Sequence, residues 1–154
     1  MIPKLTTAAA CRVARIDRDR FNEHVAAGRF RCAPCTVPGR SRLFDPDDMI
    51  ALWLFRDLMD DGYEAAKAGS IACEVANAAR RHPEAGAITF VEDYFEPRGG
   101  NAVPADQVPA SSEWDHAFFG GTNIRKTTTF NITHLRRLIA HYTDEERSVV
   151  GERD

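Results

Sequence analysis

Side chains that could perform catalysis are scattered along this chain of 154 residues rather than gathered in a motif. The chain has neither a glycine-rich phosphate loop nor a Gly-x-Ser-x-Gly turn, and no histidine falls in a recognisable catalytic pattern. The densest titratable group is Glu113-Trp114-Asp115-His116, inside a stretch of loop-forming residues. An exposed loop with one anchoring tryptophan accounts for this group better than a catalytic site does. We therefore do not expect an enzyme.

The four cysteines are the residues with the most potential for metal or redox chemistry. Cys32-x-x-Cys35 has the spacing of half a zinc site, and His24 is nearby in sequence, but a second ligand pair is missing as a motif. We expect a reducing compartment and hence no structural disulfide. Cys11 and Cys73 lie where small buried residues are expected. We predict no metal and no cofactor, with a metal or redox role for Cys32 and Cys35 as the alternative.

Arginines near the N-terminus carry the clearest binding signal. Residues 1–42 contain nine Lys or Arg against three acidic residues, a net charge of +6, whereas residues 43–154 contain eleven against twenty, a net charge of −9. Eight of the nine N-terminal cations are arginine, whose guanidinium suits two-point contacts to phosphate or guanine. This asymmetry predicts a cationic DNA-binding head on an acidic body. A solvated basic face without a ligand is the alternative.

Two short helices are predicted to position these arginines. Thr6 and Thr7 suit the start of the first helix, which continues through small residues to Cys11. The first helix is followed by a turn in which Ile16 is expected to be buried. The second helix is predicted from Arg18 to Ala27 and ends at Gly28.

The faces of the second helix differ in character. Phe21 and Val25 are four residues apart and should pack on the first helix. Arg18 and Asn22, also four apart, can face outward and enter a major groove.

Residues 29–45 are predicted to form a β-hairpin wing, because short extended runs flank a turn with Pro34, Pro38 and Gly39. A third helix then begins at Asp45-Pro46, with the aspartate as its cap, and ends at Gly62. An alanine-rich fourth helix, Tyr63 to Arg81, is stopped by Pro83.

The rest of the chain is predicted to form a small β-β-α part. Its strands are Ala87 to Phe95 and Lys126 to Thr133, separated by a long loop from Pro97 to Thr122. A helix runs from His134 to about Tyr142, and the tail from Asp144 is expected to fray. So thin a sheet cannot hide its own apolar residues. We therefore expect this part to hold two subunits together.

The first half of the chain resembles the MerR-like winged-helix family of bacterial DNA-binding proteins. The order of its elements carries the resemblance: Cys11, Ile16, Arg18 to Ala27, Gly28, the wing, Arg42-Leu43-Phe44, Asp47-Asp48 and Asp61-Gly62-Tyr63. The chain departs from the family pattern at Arg15, where the family often has glycine, and at Asn22 and His24, where it often has arginine and tyrosine. No metal- or drug-sensing region of that family is recognisable downstream.

The sequence thus predicts an α+β protein with a winged helix-turn-helix domain at residues 1–83 and a dimerisation or partner-binding part at residues 84–154. We expect a sequence-specific regulator of transcription, of bacterial or phage type, that binds double-stranded DNA as a homodimer. The predicted DNA contacts are Thr7, Arg15, Arg18, Arg20, Asn22, His24, Arg29, Arg31, Arg40 and Arg42.

Two other functions remain open. One is an architectural DNA binder, excisionase-like or for packaging recognition, and the other is a helix-turn-helix module that contacts a protein. The chain has no run of eighteen apolar residues and its start, Met1-Ile2-Pro3-Lys4, lacks a signal-peptide pattern, so we expect a cytoplasmic protein without a membrane partner.

Overall fold

The computed structural model describes residues 4–36, 38–40, 42–94, 100–115 and 123–149. These residues form a mixed α+β fold, which confirms the predicted class. The elements are β1 Leu5–Thr6, α1 Thr7–Ala14, α2 Arg18–Ala26, β2 Leu43–Phe44, α3 Pro46–Asp60, α4 Ala65–Arg81, β3 Ala87–Asp93, β4 Gly100–Pro104, β5 Ile124–Asn131 and α5 Ile132–Val149. Single 3-10 turns lie at Ala105–Gln107 and Ser111–Glu113.

Side-chain caps begin the first three helices at the predicted places. Thr6 and Asp17 each accept a hydrogen bond from the backbone N–H three residues further on, at 3.3 and 3.0 Å. Asp45 and Asp48 cap each other's backbone N–H at 2.8 and 2.9 Å, with Pro46 in the first helical position. These bonds satisfy N–H groups that a helix start leaves without a partner, which fixes where each helix begins.

The predicted hairpin wing is absent from residues 29–36, 38–40 and 42, where the structure describes no strand. The strand Leu43–Phe44 instead pairs antiparallel with Leu5–Thr6, ahead of α1. Pro34 and Pro38 have no N–H to contribute to a ladder, which disfavours a hairpin here. Residues 37 and 41 lie outside the described part.

A disulfide between Cys32 and Cys73 joins the segment after α2 to α4, with the two Cα atoms 5.6 Å apart. Our expectation of no structural disulfide is therefore wrong. Gly69, one turn before Cys73, lies against the same segment: a Cβ atom there would be 1.8 Å from the carbonyl oxygen of Arg29. The disulfide and this close approach hold residues 29–32 on α4.

The C-terminal sheet has three antiparallel strands in the order β4-β3-β5. Phe90 at its centre pairs with Ala102 on one side and Thr128 on the other. The region predicted as a loop from Pro97 to Thr122 thus contains a strand and two 3-10 turns. Residues 97–99 and 116–122 of this region lie outside the described part, and so does Phe95 of the predicted first strand. The β-β-α prediction missed this third strand.

Helix α5 is longer than predicted at both ends. It continues to Val149, so residues 144–149 are helical, whereas the sequence suggested fraying. Thr143 is buried, and Glu146 binds Arg12 of α1 at 2.6 Å. These contacts with the first half of the chain hold the end of the helix in place.

One cluster of buried side chains includes residues on both sides of the predicted boundary at 83/84. Phe21 and Phe55 from the N-terminal helices belong to it, together with Phe90, Leu135 and Ile139. Of the apolar residues that we expected to hold two subunits together, Phe90, Leu135 and Ile139 are buried within the chain, which weakens that argument for a homodimer. Val91, Phe130 and Leu138 are only partly buried, and Phe95 lies outside the described residues. None of the helices in the described ranges is long and apolar enough to cross a membrane.

Candidate nucleic-acid interface

The basic head contains an open groove of about 730 Å³ between the start of α1, the outer face of α2 and residues 36, 40 and 42. We call it the arginine groove. Its walls are formed by Thr6, Thr7, Ala8, Arg12, Arg18, Asp19, Asn22, Thr36, Arg40 and Arg42. Four arginines and one aspartate give these walls a strong positive charge, which favours an anionic ligand.

Helix α2 supplies one wall with its polar, solvent-facing side, while its apolar side packs on the core. Phe21 is fully buried against the core, so Arg18 and Asn22 are directed toward solvent. The guanidinium of Arg18 lies 4.0 Å from Asp19, and both side chains are largely exposed. An ion pair in that setting contributes little. Arg18 therefore remains available to a ligand.

The start of α1 forms another part of the groove wall. Thr6, Thr7 and Ala8 line the groove at the N-terminal end of this helix. The aligned peptide dipoles place partial positive charge there, and backbone N–H groups of a first turn are donors for a phosphate oxygen. This end of the groove therefore adds to the attraction of its arginines for an anion.

Arg40 and Arg42 come from the segment that leads into β2, and they differ in exposure. Arg40 is exposed. Arg42 is half-buried, and its Nη1 donates a hydrogen bond to the carbonyl oxygen of Pro34. That bond anchors the segment through Arg42, and the same residue also lines the groove.

Arg12 and Thr36 are groove residues that the sequence reasoning missed. Arg12 is one turn after Ala8 on the same helix, and this spacing could have indicated that both share a face. Its Nε and Nη2 atoms each lie 2.6 Å from Oε1 of Glu146 on α5, whose side chain is mostly buried. Arg12 is thus partly neutralised, and it connects the groove to the C-terminal helix.

Of the predicted DNA contacts, Thr7, Arg18, Asn22, Arg40 and Arg42 line the arginine groove. Five others lie elsewhere: Arg15, Arg20, His24, Arg29 and Arg31.

Arg15 and Arg20 do not line the groove. Arg15 has a left-handed backbone (φ 60°) and its guanidinium lies 5.2 Å from the ring centre of Tyr142 on α5. Arg20 is exposed on α2, on a side that does not line the groove.

His24 and Arg29 bind each other inside the head. Arg29 Nε donates to His24 Nδ1 at 2.8 Å, and the imidazole packs edge-on against Phe55 with ring centres 5.2 Å apart. Burial and the neighbouring Arg29 charge lower the pKa of His24, which favours the neutral ring that can accept this bond. The pair therefore has an internal role.

Arg31 and Arg29 line a second pocket of about 440 Å³, which lies beside the disulfide between residues 28–32 and α4. Arg31 Nε also donates to the carbonyl oxygen of Gly28 at 3.3 Å. Within the described ranges, no group of three or more His, Cys, Asp or Glu side chains could hold a metal ion. Cys32 is bonded to Cys73, so it is not free to serve as half of a zinc site.

The polar group around Trp114 is partly described. Trp114 Nε1 donates to the carbonyl oxygen of Pro109 at 2.9 Å, and its own carbonyl accepts from Ile124 at 3.2 Å. Glu113 and Asp115 are exposed, and His116 lies outside the described residues. The tryptophan thus joins the 3-10 turns to β5.

Neither a protein-family model nor a curated protein sequence matches this chain.

Proposed function

We propose that this protein binds double-stranded DNA through the arginine groove, with the outer face of α2 in the major groove. The observation that carries the proposal is the convergence of four arginines and Asn22 on one open groove beside a helix N-terminus. Phosphate attracts such a surface whatever the sequence, and base edges can be read by the side chains that project furthest from α2.

The groove residues divide into two classes by position. Arg18 and Asn22 are exposed on a helix, where they can reach base edges: arginine pairs with guanine O6 and N7, and asparagine with adenine N6 and N7. Arg40, Arg42 and the first turn of α1 surround them and suit contacts to phosphates. This division favours sequence-specific binding over a purely electrostatic contact.

The proposed class is a regulator of transcription of bacterial or phage type, and the similarity to MerR-like winged-helix proteins is part of that proposal. Phe90, Leu135 and Ile139 of the C-terminal part are buried within the chain, so the proposal needs only one copy of the chain for each groove, and the homodimer stays a prediction.

Selection from a random duplex pool, followed by titration of single variants, tests this proposal. We expect Arg18→Ala and Asn22→Ala each to weaken binding to the selected duplex by about 1–3 kcal/mol and to relax its sequence preference. Arg40→Ala should weaken binding to all duplexes equally and reduce the slope of log affinity against log salt by about 0.9. The matched control is Arg20→Ala, which removes the same charge from the same helix outside the groove.

Two results would contradict this placement. Equal loss from Arg20→Ala and Arg18→Ala would show that only net charge matters. A pool from which no duplex is enriched, with no salt-dependent binding of any duplex, would instead favour a protein partner for the head.

A further inference from the structure

The segment after α2 brings together a disulfide and a free thiol. Cys32 of this segment is bonded to Cys73 of α4, while Cys35 is free and exposed. We propose that these three cysteines form a thiol–disulfide exchange site, in which Cys35 attacks Cys32 and moves the disulfide from Cys32–Cys73 to Cys32–Cys35.

Cys35 is the free thiol that lies closest to the disulfide along the chain. It is three residues from Cys32, so the chain between them spans at most about 11 Å, and Cys-x-x-Cys spacing permits a disulfide between its two ends. The fourth cysteine, Cys11, is 2% exposed, and burial raises the pKa of its thiol to about 12. Since the thiolate is the nucleophile in disulfide exchange, Cys11 is excluded from this chemistry.

The exchange step balances without an oxidant or a reductant. Cys35 gives its proton to water, and its thiolate forms a bond with Sγ of Cys32. The bond between Sγ of Cys32 and Sγ of Cys73 breaks, and Cys73 leaves with the electron pair as a thiolate that takes a proton from water. Attack at Cys32 is favoured because that residue is half-buried on the loop, whereas Cys73 is only 9% exposed within a helix.

The position of the disulfide gives the exchange a structural consequence. The Cys32–Cys73 bond holds residues 29–32 on α4, one turn from the close approach at Gly69. The same segment continues to Thr36 and then to Arg40 and Arg42 of the arginine groove, with Arg42 bonded back to Pro34. Exchange would remove the covalent link between this segment and α4 and so alter one wall of the groove. That consequence for DNA affinity rests on the proposed function.

Peptide mapping of the oxidised full chain tests the exchange without DNA. After incubation at mildly alkaline pH, an acid quench, alkylation and trypsin, Cys32 and Cys35 fall in one peptide, residues 32–40, and Cys73 in another, residues 68–80. We expect a fraction of peptide 32–40 with an internal disulfide, together with alkylated Cys73. Both should be absent in Cys35→Ser and unchanged in the matched control Cys11→Ser.

The exchange is refuted if peptide 32–40 stays linked to peptide 68–80 at every time and Cys35 is always alkylated. Control over the groove is tested with two oxidised variants: Cys35→Ser, which keeps the Cys32–Cys73 bond, and Cys73→Ser, which leaves only Cys32–Cys35. A several-fold difference between the two variants in affinity for the selected duplex supports control of the groove by the disulfide, and equal affinities overturn it. If neither variant nor wild type binds any duplex, the proposed function fails, while the mapping still decides whether exchange occurs.

Discussion

Gly69→Ala should destabilise this protein, although the same change inside most helices is stabilising. Alanine is favoured over glycine by about 1 kcal/mol in a helix interior. A Cβ atom at position 69 would lie 1.8 Å from the carbonyl oxygen of Arg29 and 2.9 Å from its carbon. Unbonded heavy atoms pack at about 3.5 Å, so residues 29–30 must move by about 1.7 Å.

The movement would disturb the packing of aromatic rings in the core. Phe30 is 2% exposed, and its ring lies 5.3 Å from that of Phe21 and 5.0 Å from that of Phe55. Forcing extra volume into a packed site costs about 1–3 kcal/mol, and a backbone obstacle places this case near the upper end. After subtraction of the helix preference, we expect a net loss of about 2 kcal/mol, or a fall in Tm of roughly 4–8 °C for a chain of this size.

Thermal and denaturant unfolding without reductant measure this loss, so that the disulfide stays intact. The control is Ser70→Ala, at an exposed position on the same helix, where a change within about 0.5 kcal/mol is expected. A Gly69→Ala variant more stable than wild type would show that residues 29–30 do not lie against α4 as described.

Two further predictions concern the C-terminal part. Burial alone would raise the pKa of Glu92, but the hydrogen bond and charge of Lys67 at 2.5 Å, with Lys126 and Arg125 nearby, hold that pKa below its usual value. Glu92→Gln should therefore lower the free energy of unfolding by about 1–3 kcal/mol at neutral pH. As the pH falls below the unfolded-state pKa of about 4.3, the difference in this free energy between wild type and variant should shrink. Ile139→Ala should cost about 2–4 kcal/mol in denaturant unfolding, because Ile139 is 3% exposed between α5 and the core.

Exposed positions serve as controls for both. Glu64→Gln and Arg137→Ala change side chains at the surface, and each should stay within about 0.5 kcal/mol of wild type. A difference in unfolding free energy between wild type and Glu92→Gln that grows at acid pH would contradict the lowered pKa of Glu92. An Ile139→Ala variant of unchanged stability would contradict the packing of α5 on the core.

The local signals were predictable from the sequence because each depends on a few neighbouring residues. Asp17 and Asp45 cap the helices that they were expected to cap, and Gly28, just after α2, has the positive φ of 76° expected there. Arg18 and Asn22 face outward because Phe21 must face inward, which the spacing of four residues already indicated. These features need no knowledge of the rest of the chain.

Features that depend on distant contacts could not be predicted. The Cys32–Cys73 bond joins residues 41 apart, and the expected reducing compartment argued against any disulfide. The end of α5 is ordered by Glu146 against Arg12, 134 residues earlier, so local composition alone suggested fraying. His24 looked available to DNA because its internal partner Arg29 and the ring of Phe55 become neighbours only in the fold.

The most direct test of the proposed function locates the DNA on the protein. Backbone amide NMR signals recorded during titration with the selected duplex should shift most at Thr7, Arg18, Asn22 and Arg40, which line the arginine groove. Signals of α5 at Arg137 should stay unchanged. Shifts centred away from the groove, or none at DNA concentrations far above that of the protein, would contradict the assignment of this groove as the DNA-binding surface.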